Sequence, residues 1–596
     1  MSARGGPIGS LKSTLGRLTN YDSKWLVLVS IVLTVTVLVV VPLVFLLWTS
    51  VWSGFPGQSG AEFTLGNFRA VYTGDLFDVR ELFLNSLIIA VVATLTSTAS
   101  GLAFAWLFVR TNLPTKGALE LVLLSGHAVP GYIYAFMYLT TYAPDSGLVS
   151  SVLARTVGAG IPLAMTEPWG VGFVIGVTII PTFYLLIVPA LQDMDPTLEE
   201  VSRVHGANIR GTVRSITVPL IKPALLSGAV VVFLYGLGEF SVVAILGIRG
   251  GFDVYSTKIH EAIRIGIRRE GEFLASPAYG EAAALACSLL VVMFVLVWYY
   301  RSVTSRKEDY MTLTGQRGQR RTWDLGKWRW PAALALWAVL GFVWIVPVAV
   351  LALASVHANW TGGLELSALT LEHYVTAVTD AQVRQAFTNS VLVAVGGASL
   401  GTVLVVGLSY YTERTTARFR GVVDFLSLSP LAVPGIILGS GILFTFLWVG
   451  NVAPVFSLYG TLGIIIVGCV VVFIPVTSRI AIGNVVQIHS ELEEVARVSG
   501  ATWLQQMRSI FLPLFRNTAV VIWFFLAVNV FQLLSIPAMT YTADTVVIPI
   551  RLFQMYTYDP NIEVLAAIST IFVGLTMLVV LALRYAGITF YELGRR

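Results

Sequence analysis

The sequence predicts an all-helical polytopic membrane protein with about twelve crossings in two pseudo-symmetric six-helix halves. Three observations carry that expectation. Of 596 residues, 56% are hydrophobic and only 12% are charged, against about a quarter charged in soluble domains. Charge-free runs recur along the whole chain. One charged phrase, LEEVSRVHGAN at 198–208, returns as LEEVARVSGAT at 492–502.

The runs place the crossings. A membrane helix needs about 20 apolar residues. The runs are 25–61, 82–109, 121–144, 168–192, 223–238 with 240–248, 282–300, 330–364, 385–412, 425–478, 517–543 and 564–583. The run 425–478 is too long for one helix and carries the turn signal GNVAP at 450–454, so it holds two crossings. The first 24 residues are polar, with Arg4, Lys12, Arg17 and Lys24. No early small-residue cleavage site follows, so the first run reads as a retained helix. With both termini in the cytoplasm, 28 of the 38 Lys and Arg fall on the cytoplasmic side, as the positive-inside rule requires.

The chain then divides into a cytoplasmic segment (1–24), a first half (25–300), a basic cytoplasmic linker (301–329), a second half (330–586) and a cytoplasmic tail (587–596). The halves match in order. TLGNFRAVYT (64–73) answers to TLEHYVTAVT (370–379), NSLIIAVVA (85–93) to NSVLVAVGG (389–397), and AVPGYIYA (128–135) to AVPGIILG (432–439). Both halves start on the same side with six spans, so the repeat is parallel and a pathway is expected between the halves.

The repeated phrase falls between crossings four and five and between ten and eleven. Each copy reads as a short helix of about 197–206 or 490–500, a glycine, and a second helix. Asp195 or Thr197 can cap the first copy, and Ser490 with Glu493 has capping-box spacing in the second. Gly206 and Gly500 suit a left-handed turn. Leu198 and Val201, like Leu492 and Val495, form a short apolar face. Glu199, Glu200 and Arg203, like Glu493, Glu494 and Arg497, form a charged one. Ala207 and Ala501 follow the glycines. Two copies at equivalent positions, with matched Arg214/Arg508 and Pro219/Pro513, point to two docking knobs for two equivalent partners.

Here the chain resembles the importer permeases of the ATP-binding cassette class. Their pattern is Glu-Ala-Ala, three residues, Gly, nine residues, Ile, one residue, Leu-Pro. This chain has Glu200-Val201-Ser202, Gly206, Ile216 and Val218-Pro219, then Glu494-Val495-Ala496, Gly500, Ile510 and Leu512-Pro513. The departures are small or apolar. Over nearly its whole length the chain looks like the fused two-half permeases of the ferric-iron branch, with relatives assigned to thiamine, phosphonates and polyamines. The resemblance implies a coupling helix in each phrase, two copies of a cytoplasmic ATPase that hold ATP and Mg, and an extracytoplasmic solute-binding protein. It also implies a prokaryotic inner membrane and no nucleic-acid partner.

The sequence has no G-x-x-x-x-G-K-[ST] phosphate loop, so ATP hydrolysis is expected on another subunit and no catalytic or metal residue is expected here. An ion-driven secondary transporter would carry intramembrane charges in both halves; only Glu239 is conspicuous, and its counterpart is Leu533. The pathway candidates are Glu239 and Ser241, the helix-breaking Pro130-Gly131 and Pro434-Gly435, the helix-starting Asn85-Ser86 and Asn389-Ser390, Tyr134, and Ser535.

Overall fold

The computed structural model describes residues 7–585 apart from 55–59, 75–76, 145, 159–163, 265–267, 270–271, 274–277, 305–321, 364 and 559–560. Most of the expected linker and the whole tail therefore lie outside the described residues. Eleven helices among the described residues are long and apolar enough to cross a membrane. The twelfth expected crossing, number three, is a bent pair, Lys116–Ala128 and Gly131–Tyr142, at 109°.

The spans of the first half are Lys24–Ser50, Val79–Arg110, the bent pair, Pro168–Asp193, Ile209–Gly238 and Tyr279–Trp298. Those of the second are Gly326–Ser355, Ala381–Arg414, Gly435–Val452, Leu462–Val485, Trp503–Gln532 and Ile562–Val579. Spans five and eleven correct the sequence reading. They start well before 223 and 517 and stop at Gly238 and Gln532. The runs 240–248 and 533–543 are not their continuations. They hold separate short helices, Val243–Gly250 and Ser535–Thr540. A two-residue hairpin pairs Arg268–Arg269 with Glu272–Phe273.

Lipid-side and protein-side faces follow the helix period. On span one, Leu28, Val35, Val39 and Leu46 are buried, while Leu26, Val29, Leu33, Val37 and Leu47 are exposed. The buried stripe packs largely on the other half. Ile31 lies against Gly407, the Pro42 carbonyl against Gly441, and the Phe45 ring meets that of Trp448 at a tilt, 5.2 Å between centroids. Span seven reciprocates. Its Val343 carbonyl accepts the Tyr138 hydroxyl at 3.0 Å, and Trp344 fills the space beside Gly126. Each half thus lends its first span to the other.

Three five-residue stretches wind wider than an α-helix: Val213–Thr217, Gly341–Ile345 and Met507–Phe511. Each is followed at the second position by a proline, Pro219, Pro347 or Pro513. A proline ring clashes with the carbonyl one turn back, and the wider turn relieves the clash without ending the helix.

Candidate functional site

The two copies of the repeated phrase fold alike. The first knob helix is Pro196–Val204 and the second Glu491–Val498. Both glycines that follow, Gly206 and Gly500, stand at φ +84°. No neighbour crowds either α-carbon, so the backbone angle alone demands glycine there. In the first copy Asp195 is the capping residue, accepting the Thr197 N–H at 2.9 Å. That bond holds its carboxyl below the usual range. In the second copy the expected box does not form, because Ser490 is helical and makes no side-chain cap. The box sits twelve residues on, between Thr502 and Gln505.

Glu493 misses the box because an arginine claims it. The last residue of span two, Arg110, puts its Nε 3.9 Å from Glu199 Oε2, and the last residue of span eight, Arg414, puts its Nε 3.7 Å from Glu493 Oε1. At those lengths they are ion pairs rather than hydrogen bonds. The same guanidinium groups staple the chain entering each knob. Arg110 donates to the carbonyls of Leu191 and Met194 at 2.6 and 3.0 Å. Arg414 donates to Val485 at 2.8 Å and to Ile488. Each carboxylate has a further donor: Thr217 on Glu199 at 2.7 Å and Tyr410 on Glu493 at 3.1 Å. Sequence reasoning missed both arginines. Their signal was available, since Arg110 closes the charge-free run 82–109 and Arg414 follows the run 385–412 by one residue, after Glu413.

Anchoring the first glutamate of each phrase turns the apolar residues outward. Leu198 and Val201 are exposed, and Val204 at the tip is 85% exposed. Leu492 and Val495 are likewise exposed, and Val498 is 87% exposed. Glu494 and Arg497 are exposed, and Glu200 is half-buried. The side chain of Arg203 lies outside the described residues. Each anchored helix thus presents to solvent an apolar stripe that the fold itself does not bury.

The pathway candidates gather elsewhere. Pro130 ends the break within span three, whereas Pro434 ends the break just before span nine rather than interrupting it, and Gly131 and Gly435 start the helices that follow. Gly131 faces Glu239, Ser241 and Val242, and Gly435 faces Ser535. The breaks also meet across the halves. A Cβ on Gly238 would stand 2.7 Å from Pro434, and Gln532, the counterpart of Gly238, donates to the Ala128 carbonyl at 3.0 Å. Glu239 is buried and accepts the Val242 N–H at 3.1 Å, capping the short helix beyond it. Tyr134 is buried, its hydroxyl donating to the Gly126 carbonyl at 2.9 Å.

Asn85-Ser86 and Asn389-Ser390 do cap helices, but not their own. Asn85 donates to the Asp253 carbonyl at 3.1 Å and Ser86 accepts from Tyr255 N–H at 3.4 Å, the first residue of helix Tyr255–Arg264. Asn389 donates to the carbonyls of Asp544 and Val546 at 3.0 and 2.9 Å, and Ser390 accepts from Ile548 N–H at 2.8 Å, the first residue of helix Ile548–Tyr558. Both pairs pin the loop opposite the knobs to its half.

These features define a duplicated multi-pass membrane protein with paired, exposed apolar knobs and a crossed set of helix breaks between its halves. Residues 88–309 match the family of binding-protein-dependent transport system inner membrane components. It is 26% identical over 72% of its length to the ferric transport system permease protein FbpB of Actinobacillus pleuropneumoniae, spanning 60% of that relative. A putative ferric transport permease FbpB 1 of Haemophilus influenzae is also 26% identical, over 72% of this chain and 66% of the relative. The probable ABC transporter permease y4fN of Sinorhizobium fredii is 23% identical over 84% of this chain and 85% of its own. The resemblance to permeases of ATP-binding cassette importers, on the branch named for ferric transport, is borne out.

Proposed function

We propose that the chain is the membrane-spanning subunit of an ATP-driven importer, that its knobs dock two copies of a cytoplasmic ATPase, and that the solute is ferric iron. The termini and knobs then face the cytoplasm, and a solute-binding protein engages the opposite face. ATP and Mg sit on the ATPase. The observation that supports this best is the duplicated Arg–Glu anchor, which holds two identical apolar tips outward.

The geometry suits transmission. Span five runs unbroken from just after the first knob to Gly238, 30 residues or about 45 Å of helix. Its far end rests on Pro434 of the other half. Span eleven runs likewise from the second knob to Gln532 and the Ala128 carbonyl. Closure of the ATPases would draw the knobs together, and the two rods would reset the crossed breaks between inward-open and outward-open arrangements. Glu239 supplies a carboxylate beside the breaks that suits a cationic solute once its cap is released.

Iron is favoured over other small solutes because ferric relatives match 72% of the chain. Permeases named for sulfate and molybdenum match 37% and 26%. Thiamine, phosphonates and polyamines remain the alternatives within the same importer class. An ion-gradient carrier is disfavoured by the family match. The test is ATPase activity of the chain with its ATPase in lipid nanodiscs, with and without a binding protein loaded with ferric iron. Stimulation by the iron-loaded protein supports the proposal. Stimulation by another solute keeps the importer and discards iron. A chain that captures no ATPase overturns both.

A further inference from the structure

The end of the linker makes a set of contacts that neither the knobs nor the helix breaks explain. Trp323 lies along the end of span two in a parallel bridge with Thr111. Its N–H donates to the Arg110 carbonyl at 2.7 Å, and its own carbonyl accepts the Asn112 N–H at 3.1 Å. Asn112 closes the contact from its side chain, donating to Asp324 Oδ1 at 2.6 Å and accepting the Leu325 N–H at 3.0 Å. The Trp323 indole is buried and donates to Glu199 Oε2 at 3.2 Å. One turn later the chain enters span seven, whose Trp337 indole donates to Thr115 Oγ1 at 3.1 Å.

The second half makes do without a linker. There Glu493 Oε2 is met by Tyr410, four residues before the closing arginine. The same position in the first half is Trp106, whose indole nitrogen is buried without a hydrogen-bond partner. The donor that the second half carries in its own span is brought to the first half by the linker.

We propose that Trp323 is a positioning residue of the coupling machinery, a strap that ties the carboxylate anchor of the first knob to the start of span seven. The consequence is a second route from that knob. Span five carries its motion to Gly238 and Pro434. The strap carries it into span seven, which packs through Trp344 on Gly126, two residues before the Ala128 carbonyl that receives Gln532. One knob then addresses both of the crossed contacts at the helix breaks.

This rests on the importer reading, and the test separates the two. The full chain is reconstituted with its ATPase and binding protein, as wild type, Trp323→Phe and Asn112→Ala. Trp323→Phe keeps the ring and drops the donor. Three quantities are read: ATPase capture, melting temperature, and solute moved per ATP hydrolysed. Capture stays at the wild-type level in both variants, while solute per ATP falls about tenfold or more, the scale of one hydrogen bond to a charged acceptor. A purely structural role lowers melting and capture together and leaves solute per ATP alone, which overturns the strap. So do two variants that transport at the wild-type ratio. A wild-type chain that captures no ATPase overturns the importer reading instead.

Discussion

Gln532 donates its side-chain amide to the backbone carbonyl of Ala128 at 3.0 Å, across the boundary between the two halves. Its counterpart Gly238 reaches the other half by close approach instead, its α-carbon hydrogens lying against Pro434. The two contacts are unlike in chemistry, so they should fail differently. Gly238→Ala puts a methyl 2.7 Å from the Pro434 ring, and overpacking of that kind costs about 1–3 kcal/mol. The expected outcome is a looser junction with raised basal ATPase in the assembled complex. Gln532→Ala removes one hydrogen bond, worth about 1 kcal/mol, and should raise basal ATPase less. Equal effects from both would refute the idea that these contacts hold the resting arrangement.

Arg110 and Arg414 each join three things: the end of one span, the last carbonyls of another, and a knob glutamate. Arg110→Ala leaves Glu199 buried without its cation, a loss of about 3–5 kcal/mol for a buried pair. Arg414→Ala should cost less, because the Arg414–Glu493 pair is more exposed. Lysine cannot replace either, since a single ammonium cannot span two carbonyls and a carboxylate as a planar fork does. Thermal melting in nanodiscs ranks the variants, with Arg110→Ala lowest and Arg110→Lys close to it.

Much of this was legible in the residues, and the failures have physical causes. The crossings, the repeat and the knobs were legible because long apolar runs and an eleven-residue repeat are local signals. The ends of spans five and eleven were harder to read. Glu239 marks the first break with a charge, but Gln532-Leu533 carries none, so the run simply continues past it. The capping box at Ser490 and Glu493 had correct spacing and still did not form, because Arg414 holds Glu493 from 79 positions upstream. Tertiary electrostatics overrode a local preference there. Trp323 and Glu199 lie 124 positions apart, and nothing in either neighbourhood announces the other.

The glycine after each knob is required by its backbone angle and by nothing else. Gly206→Ala and Gly500→Ala meet no steric obstacle, so each should cost about 1–2 kcal/mol, the left-handed penalty for a residue with a Cβ. Asparagine, which tolerates that region, should restore part of the loss at either site. Stimulated ATPase in the double Ala variant falls below either single one, while span packing measured by protease resistance is unchanged. Wild-type stimulation in the double variant would remove the turn from the mechanism.

His260 gives the face opposite the knobs an acid limb. It sits on helix Tyr255–Arg264, between Phe240 at 5.1 Å and Phe553 at 5.7 Å. Burial, with a smaller contribution from Arg264, pushes its pKa down to about 3. The unfolded chain, with a histidine near 6.5, therefore binds more protons than the folded one between those values. Stability rises with pH across that window and is lost as pH falls from about 6.5 toward 3. Melting temperature recorded from pH 7 to pH 4 should decline, and His260→Phe should flatten the decline. An unchanged slope in that variant would place the acid sensitivity in other groups.

The tips of the two knobs offer the cleanest separation of docking from folding. Val204 and Val498 are more than four-fifths exposed, so replacing them with aspartate removes almost no buried area. Substitutions at such positions usually change stability by about 0.5 kcal/mol or less. If the exposed apolar stripe is what an ATPase groove receives, a charge at its end is desolvated on docking without a partner, a cost of about 2 kcal/mol or more. That corresponds to a drop of about thirtyfold in affinity for each knob. The double variant Val204→Asp with Val498→Asp should melt like wild type and fail to hold the ATPase through a size-exclusion column. Each single variant should retain it weakly through the other knob, because two tethered contacts bind far more tightly than one. A double variant that still co-elutes with full stimulated activity would show that the valine tips are not the docking surface, even with both anchors intact.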